Sequence, residues 1–147
     1  MEFQQNTATG RILALDLGKK RIGLALSDPL GISAQGLDTL QRTTIREDIA
    51  ALEAIARKHE VQLVLLGHPL NMKGTEGRQA FYTRDFAERF IERTGLTVRF
   101  WDERLTSKEA ERVLKQSGIS IEKRAKAIDR LAAVILLASY LDAGGTA

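Results

Sequence analysis

The chain has no cysteine and only two histidines among its 147 residues. Without cysteine there is no disulfide framework, no thiolate zinc site and no cysteine nucleophile. No motif of serine-nucleophile catalysis and no zinc-ligand spacing is present either. Long apolar runs are missing as well. The longest, from Leu131 to Leu141, contains Ser139 and Tyr140 and falls short of the roughly 18 residues of a membrane span. The N-terminus, Met-Glu-Phe-Gln-Gln-Asn-Thr-Ala-Thr, lacks the basic start and apolar core of a secretion signal. These absences lead us to expect a cytoplasmic protein. We divide it into a polar tail over 1–9, one domain over 10–142 and a short tail over 143–147, since this length holds one core.

What is present is apolar residue in quantity, at 44%, and a net charge of +3. The charge is unevenly spread. Between Arg104 and Arg130 lie Arg104, Lys108, Arg112, Lys115, Lys123, Arg124, Lys126 and Arg130, against Glu109, Glu111, Glu122 and Asp129. That segment alone exceeds the net charge of the chain, and a concentrated positive field favours a polyanionic partner. A solvated helix face accounts for individual lysines equally well.

Periodicity orders the elements. Arg11–Asp16 and Arg21–Asp28 are apolar runs joined by Gly18-Lys19-Lys20, as in a hairpin. A third strand is expected over Ile32–Leu40, after the turn at Asp28-Pro29 and Gly31. Thr44-Ile-Arg-Glu47 is a capping box, and Ile45, Ile49, Leu52 and Ile55 continue a helix to Lys58–Glu60. Val61–Leu66 reads as a strand covered on both faces, typical of a parallel sheet. A polar loop spans His68–Gly77. The next helix carries Phe86, Ala87, Phe90 and Ile91 on its inner side and stops at Gly95. Leu96–Trp101 is the last strand. A second capping box at Thr106–Glu109 opens a helix to about Gln116, and a final helix covers about Arg124–Leu141. The order β-β-β-α-β-α-β-α-α predicts an α/β fold: a five-stranded mixed sheet, three strands antiparallel and two parallel, with helices on both faces.

Three acids stand where chemistry is expected. Asp16 ends the first strand among apolar residues, where a charge is costly unless paired or bound to a cation; an ordinary turn aspartate before Gly18 has the same look. Glu103 follows the last strand, at the carboxyl edge where open α/β sheets bind ligands. Its neighbour Asp102 lies there too, but alternation sends the two to opposite sides. Asp129 heads a helical stripe whose other members, Ala133, Leu136 and Tyr140, are apolar. Three carboxylates at one point repel each other unless a cation lies between them. Magnesium, or manganese in its place, suits such an oxygen-only set and supports phosphodiester hydrolysis.

Asp16-Leu-Gly-Lys-Lys-Arg-Ile-Gly23, Gly67-His-Pro69 with Gly74 and Gly77, Asp102-Glu-Arg-Leu-Thr106 and Asp129-Arg-Leu-Ala-Ala133 occur in this order. Together they closely resemble the YqgF family, also called RuvX or the pre-16S rRNA nucleases, within the RNase H-like relatives of Holliday-junction resolvases. The resemblance covers about Gly10 to Leu141. It implies an RNase H-like fold, a cytoplasmic location, a role in maturing the 5′ end of pre-16S rRNA during ribosome biogenesis, and possible action on branched DNA. It carries the catalytic and metal-binding acids onto Asp16, Glu103 and Asp129. One departure stands out: resolvase relatives place a glutamate just after the strand that here is Val61–Leu66, and this chain has Gly67-His68-Pro69.

Candidate nucleic-acid contacts are Lys19, Lys20 and Arg21 in the hairpin, Lys73 in the glycine-containing loop, and Arg104, Lys108, Arg124 and Lys126 in the basic segment. Arg104, beside Glu103, is the best placed to neutralise a scissile phosphate. His68 is a possible auxiliary to a phosphate or water, though a structural role suits a lone loop histidine better. His59 reads as a capping charge and Trp101 as core. The partner is expected to be an rRNA precursor or branched DNA, with the ribosome or a pre-ribosomal particle as a further candidate, met by a monomer or homodimer. Two other readings use the same residues. One is a non-catalytic RNA-binding module of ribosome assembly or transcription. The other is an ATP-binding phosphotransferase, since Asp-Leu-Gly before a hairpin also resembles the first phosphate motif of the actin and sugar-kinase superfamily.

Overall fold

Strand-forming runs and helical stripes condense into eight elements in the computed structural model, which describes residues 10–69, 76–102 and 121–143, with backbone only for 121–130. They are β1 (Arg11–Leu17), β2 (Arg21–Ser27), β3 (Ala34–Gln41), α1 (Ile45–Lys58), β4 (Val61–His68), α2 (Arg78–Thr94), β5 (Thr97–Asp102) and α3 (Ile121–Asp142). The five strands form one sheet in the order β3-β2-β1-β4-β5. The hairpin links keep β1–β2 and β2–β3 antiparallel. The helical crossovers through α1 and α2 make β1–β4 and β4–β5 parallel. The helix expected from Thr106 to Gln116 lies outside the described residues.

Alternation along the strands divides the core in two. Leu13, Leu15 and Leu17 of β1 join Ile22, Leu24, Val64 and Leu66 beneath Ile49 and Leu52 of α1 and Phe86 and Phe90 of α2. On the other face Ala14, Ala25 and Leu65 meet Ala133, Leu136, Leu137 and Tyr140 of α3. The alanines on that face let α3 lie close to the strands. β4 is buried on both sides, which is why its sequence shows no alternation.

Local chemistry fixes the ends. Thr44 caps α1 by accepting from the Glu47 N–H at 3.1 Å. Gly95 ends α2 at φ 72°, a left-handed conformation that costs glycine little. Gly18 turns the β1–β2 hairpin with an N–H donated to the Arg21 carbonyl at 2.9 Å. A Cβ there would stand 2.5 Å from that oxygen, so the turn requires glycine.

Two expectations need correction. Ile91 does not face inward: it is 43% exposed. The buried stripe of α2 runs through Ala80, Thr83, Phe86, Ala87, Phe90 and Thr94, and Ile91 falls beside it. Ile32 is not in a strand. It is 73% exposed in the turn, where Asp28 accepts its N–H at 2.7 Å and that of Ser33 at 2.7 Å. The carboxylate holds the turn open for those residues, and β3 starts only at Ala34.

Candidate active site

Asp16 is the last outward-facing residue of β1 on the α3 side, following Ile12 and Ala14 at the strand's period of two. It is half-buried. Directly across the hairpin its partner is Gly23. On the parallel side Leu15 registers with Leu66, which brings Gly67 to the level of Asp16. Gly67 in turn pairs with Trp101. Neither strand beside Asp16 therefore contributes a side chain at its level. The β2–β3 register shifts between Ile22 and Leu24, so the sheet is also irregular at Gly23, as is common beside functional sites.

The same alternation sorts the neighbouring acids. Asp102 follows Val98 and Phe100, which pack with the α1–α2 core, and its register partner is His68. Asp102 thus belongs to the face away from Asp16, while Trp101 belongs to Asp16's face. Glu103 lies outside the described residues. Asp129 lies on α3, the helix covering Asp16's face, at four residues before buried Ala133; its side chain is not described. Among the described residues no three His, Asp or Glu side chains gather as a metal site. What the described part supplies is an anionic oxygen donor at a strand end, suited to a hard divalent cation.

His68 is brought elsewhere. It ends β4 on the face of Val64 and Leu66, where its Nε2 meets Glu76 Oε2 at 3.0 Å and its ring lies 5.0 Å from that of Phe100. Glu76 is also held by Arg84. His68 Nδ1 is buried without a hydrogen-bond partner. Alternation separates this group from Asp16. His59 caps α1 and lies 3.3 Å from Arg11 Nη1. Trp101 is a packing residue: its ring meets Tyr140 edge-on at 5.2 Å, and its Nε1 donates to Ser139 Oγ at 3.1 Å.

Of the expected nucleic-acid contacts, Lys19 and Lys20 are exposed at the hairpin tip and Arg21 is half-buried beside them. Lys73, Arg104 and Lys108 lie outside the described residues. Arg124 and Lys126 occupy the first turns of α3. Sequence reading missed the network behind the hairpin. Arg42 donates from Nε to Asp48 at 3.0 Å, from Nη1 to the Gly18 carbonyl at 3.0 Å and from Nη2 to the Tyr82 hydroxyl at 2.5 Å. Its backbone N–H also donates to the Lys20 carbonyl at 2.9 Å. The signal was present in Asp48, an acid on the inner stripe of α1 three residues after Ile45.

A mixed five-stranded sheet in this strand order, with helices on both faces, is the RNase H-like fold. Solved structures agree on the fold. Thermus thermophilus RuvC in complex with a Holliday junction matches 92% of this chain and 96% of its own, with TM-score 0.53 at 13% identity. Fowlpox virus resolvase with junction DNA matches 92% and 99%, with TM-score 0.56 at 15% identity. Closer in sequence are proteins named "Putative pre-16S rRNA nuclease". The one from Koribacter versatilis is 48% identical over 92% of this chain and 89% of its own. The one from Syntrophomonas wolfei is 48% identical over 91% and 95%. The family model RuvX, described as Holliday junction resolvase, matches residues 10–143. The chain belongs to the RuvX family, and nuclease is the enzyme class that membership assigns it.

Proposed function

We propose that this chain hydrolyses phosphodiester bonds in structured RNA, with maturation of the 5′ end of pre-16S rRNA in the cytoplasm as its task. The carrying observation is the position of Asp16. It is a half-buried carboxylate at the end of the central strand, flanked by Gly23 and Gly67 and covered by the helix that bears Asp129. The names of relatives at 48% identity support rRNA as substrate. No helix among the described residues is long and apolar enough to cross a membrane, which is compatible with a cytoplasmic site of action.

The acids Asp16, Glu103 and Asp129 are assigned to hold divalent metal, magnesium by preference and manganese in substitution. Gly67 occupies the β4 level at which resolvase relatives carry a glutamate, so β4 provides no carboxylate there. Asp102 faces the wrong side. Those two exclusions leave Glu103, the residue that follows the last strand in sequence. When bound, the metal supplies a water of lowered pKa and neutralises charge on the leaving oxygen. The strand holds Asp16 in place, and Lys19, Lys20 and Arg21 offer charge to the backbone around the cut. Arg104 is assigned to the scissile phosphate.

Purified protein is expected to shorten an rRNA precursor at its 5′ end in magnesium, and Asp16→Asn is expected to reduce the rate at least about a hundredfold, as loss of a principal charge-stabilising group does. Cleavage of four-way junction DNA in preference to the precursor would support the branched-DNA activity in the family description. Binding with no cleavage, or equal cleavage by the variant, would leave a non-catalytic RNA-binding module as the better reading.

A further inference from the structure

Behind the hairpin, on the face opposite Asp16, lies a cavity of about 350 Å³ lined by Gly18, Lys19, Arg42, Thr43, Gln79 and Tyr82 among others. Its size falls at the small end of the range for ligand sites, roughly 300–1,000 Å³. No acid is among its described lining residues. The Arg42 side chain is 10% exposed and rigidly held by Asp48, the Gly18 carbonyl and the Tyr82 hydroxyl. It also lies over the rings of Tyr82 and Phe86, at 5.5 and 5.7 Å. A guanidinium has five N–H donors, and these contacts use one each on Nε, Nη1 and Nη2. Two N–H are left without a partner among the described residues and can serve a ligand. The Tyr82 hydroxyl accepts from Arg42, so its own proton is available to donate. Asp48 balances the charge of Arg42, so among the described lining residues Lys19 is the cation at the rim without an ion pair. The described set is rich in donors, carries one net positive charge, and is held in place by its own hydrogen bonds.

We propose that this cavity is an anion subsite that takes a backbone phosphate of the substrate strand, next to the phosphate that is cut. The inference rests on the reading of the chain as a nuclease and adds a second point of attachment to it. Gly18 is two residues beyond Asp16, a span of at most about 7 Å of chain. A strand crossing the tip of the β1–β2 hairpin meets Asp16 on one side and the cavity on the other. The Arg42 bond to the Gly18 carbonyl ties the two together.

The test is binding of a labelled single-stranded RNA oligonucleotide, followed by anisotropy at fixed salt in the Asp16→Asn background. Gln79 is exposed near the start of α2, so its replacement leaves the core untouched. Gln79→Glu is expected to weaken binding roughly tenfold, the worth of one charge-assisted contact, and Gln79→Lys to tighten it. Lys19→Ala is expected to lower the salt slope by about one. Lys58→Glu, at the far end of α1, alters net charge more than either Gln79 change and is expected to do less. Equal binding by the Gln79 variants overturns the subsite. So does an equal or larger loss in Lys58→Glu, or a parent that binds no oligonucleotide. If the chain with Asp16 intact cuts neither precursor nor junction DNA, yet the Gln79 variants shift binding in opposite directions, a phosphate subsite stands and the nuclease reading falls.

Discussion

At the scale of single residues, the Arg42–Asp48 pair is a buried ion pair among the described residues. Burial lowers the Arg42 pKa, but hydrogen bonds to Asp48 and Tyr82 outweigh it and raise the pKa above the ordinary value. Removing one member of a buried pair leaves an uncompensated charge. Asp48→Ala is therefore expected to lower unfolding free energy by about 3 kcal/mol in urea titration, and to loosen the hairpin through the Gly18 carbonyl. Asp28 gives a pH dependence. The Ser33 N–H lowers its pKa most, desolvation pushes back, and the Ile32 and Leu30 N–H groups lower it further. The native pKa thus lies below the unfolded one. The turn's contribution is complete above the ordinary value of 3.8 and is lost as pH falls through the native value. The gap in thermal midpoint between the parent and Asp28→Asn is expected to shrink from pH 6 to pH 2.5. A constant gap would remove the carboxylate from the account.

At the scale of elements, α3 covers Asp16's face of the sheet, so the proposed site depends on it. Leu136 is fully buried against Ala14, Ala25 and Leu65. Leu136→Ala is expected to cost about 2–5 kcal/mol and to reduce cleavage more than an equally destabilising change in the opposite core, such as Leu52→Ala. Equal activity losses at equal stability would deny α3 a role in the site. Much at this scale was legible in the sequence. The apolar run of β1, the unbroken apolar run of β4 and the capping threonine of α1 each have a local cause. Ile91 was misread because hydrophobicity alone does not decide which side of Phe90 is covered. Ile32 was misread because three hydrogen bonds to Asp28 outweigh its strand preference. Alternation set Asp102 and Glu103 on opposite sides, and the strand register places Asp102 on the face away from Asp16. Arg42 was not legible, because its value comes from Gly18, Asp48 and Tyr82, which only the tertiary fold brings together.

At the scale of the whole molecule, the fold places an acidic strand end between a basic hairpin and a helix from the basic segment. The net charge of +3 is modest, so affinity for nucleic acid depends on where the charge is concentrated and falls with salt. The RuvX membership and the RuvC-like fold leave one central claim, that Asp16, Glu103 and Asp129 share a divalent cation. Anomalous diffraction from crystals soaked in manganese tests it most directly. The account predicts a manganese peak bound by Asp16 together with Glu103 and Asp129, and its loss in Asp16→Asn. Three carboxylates standing apart with no peak between them would contradict it.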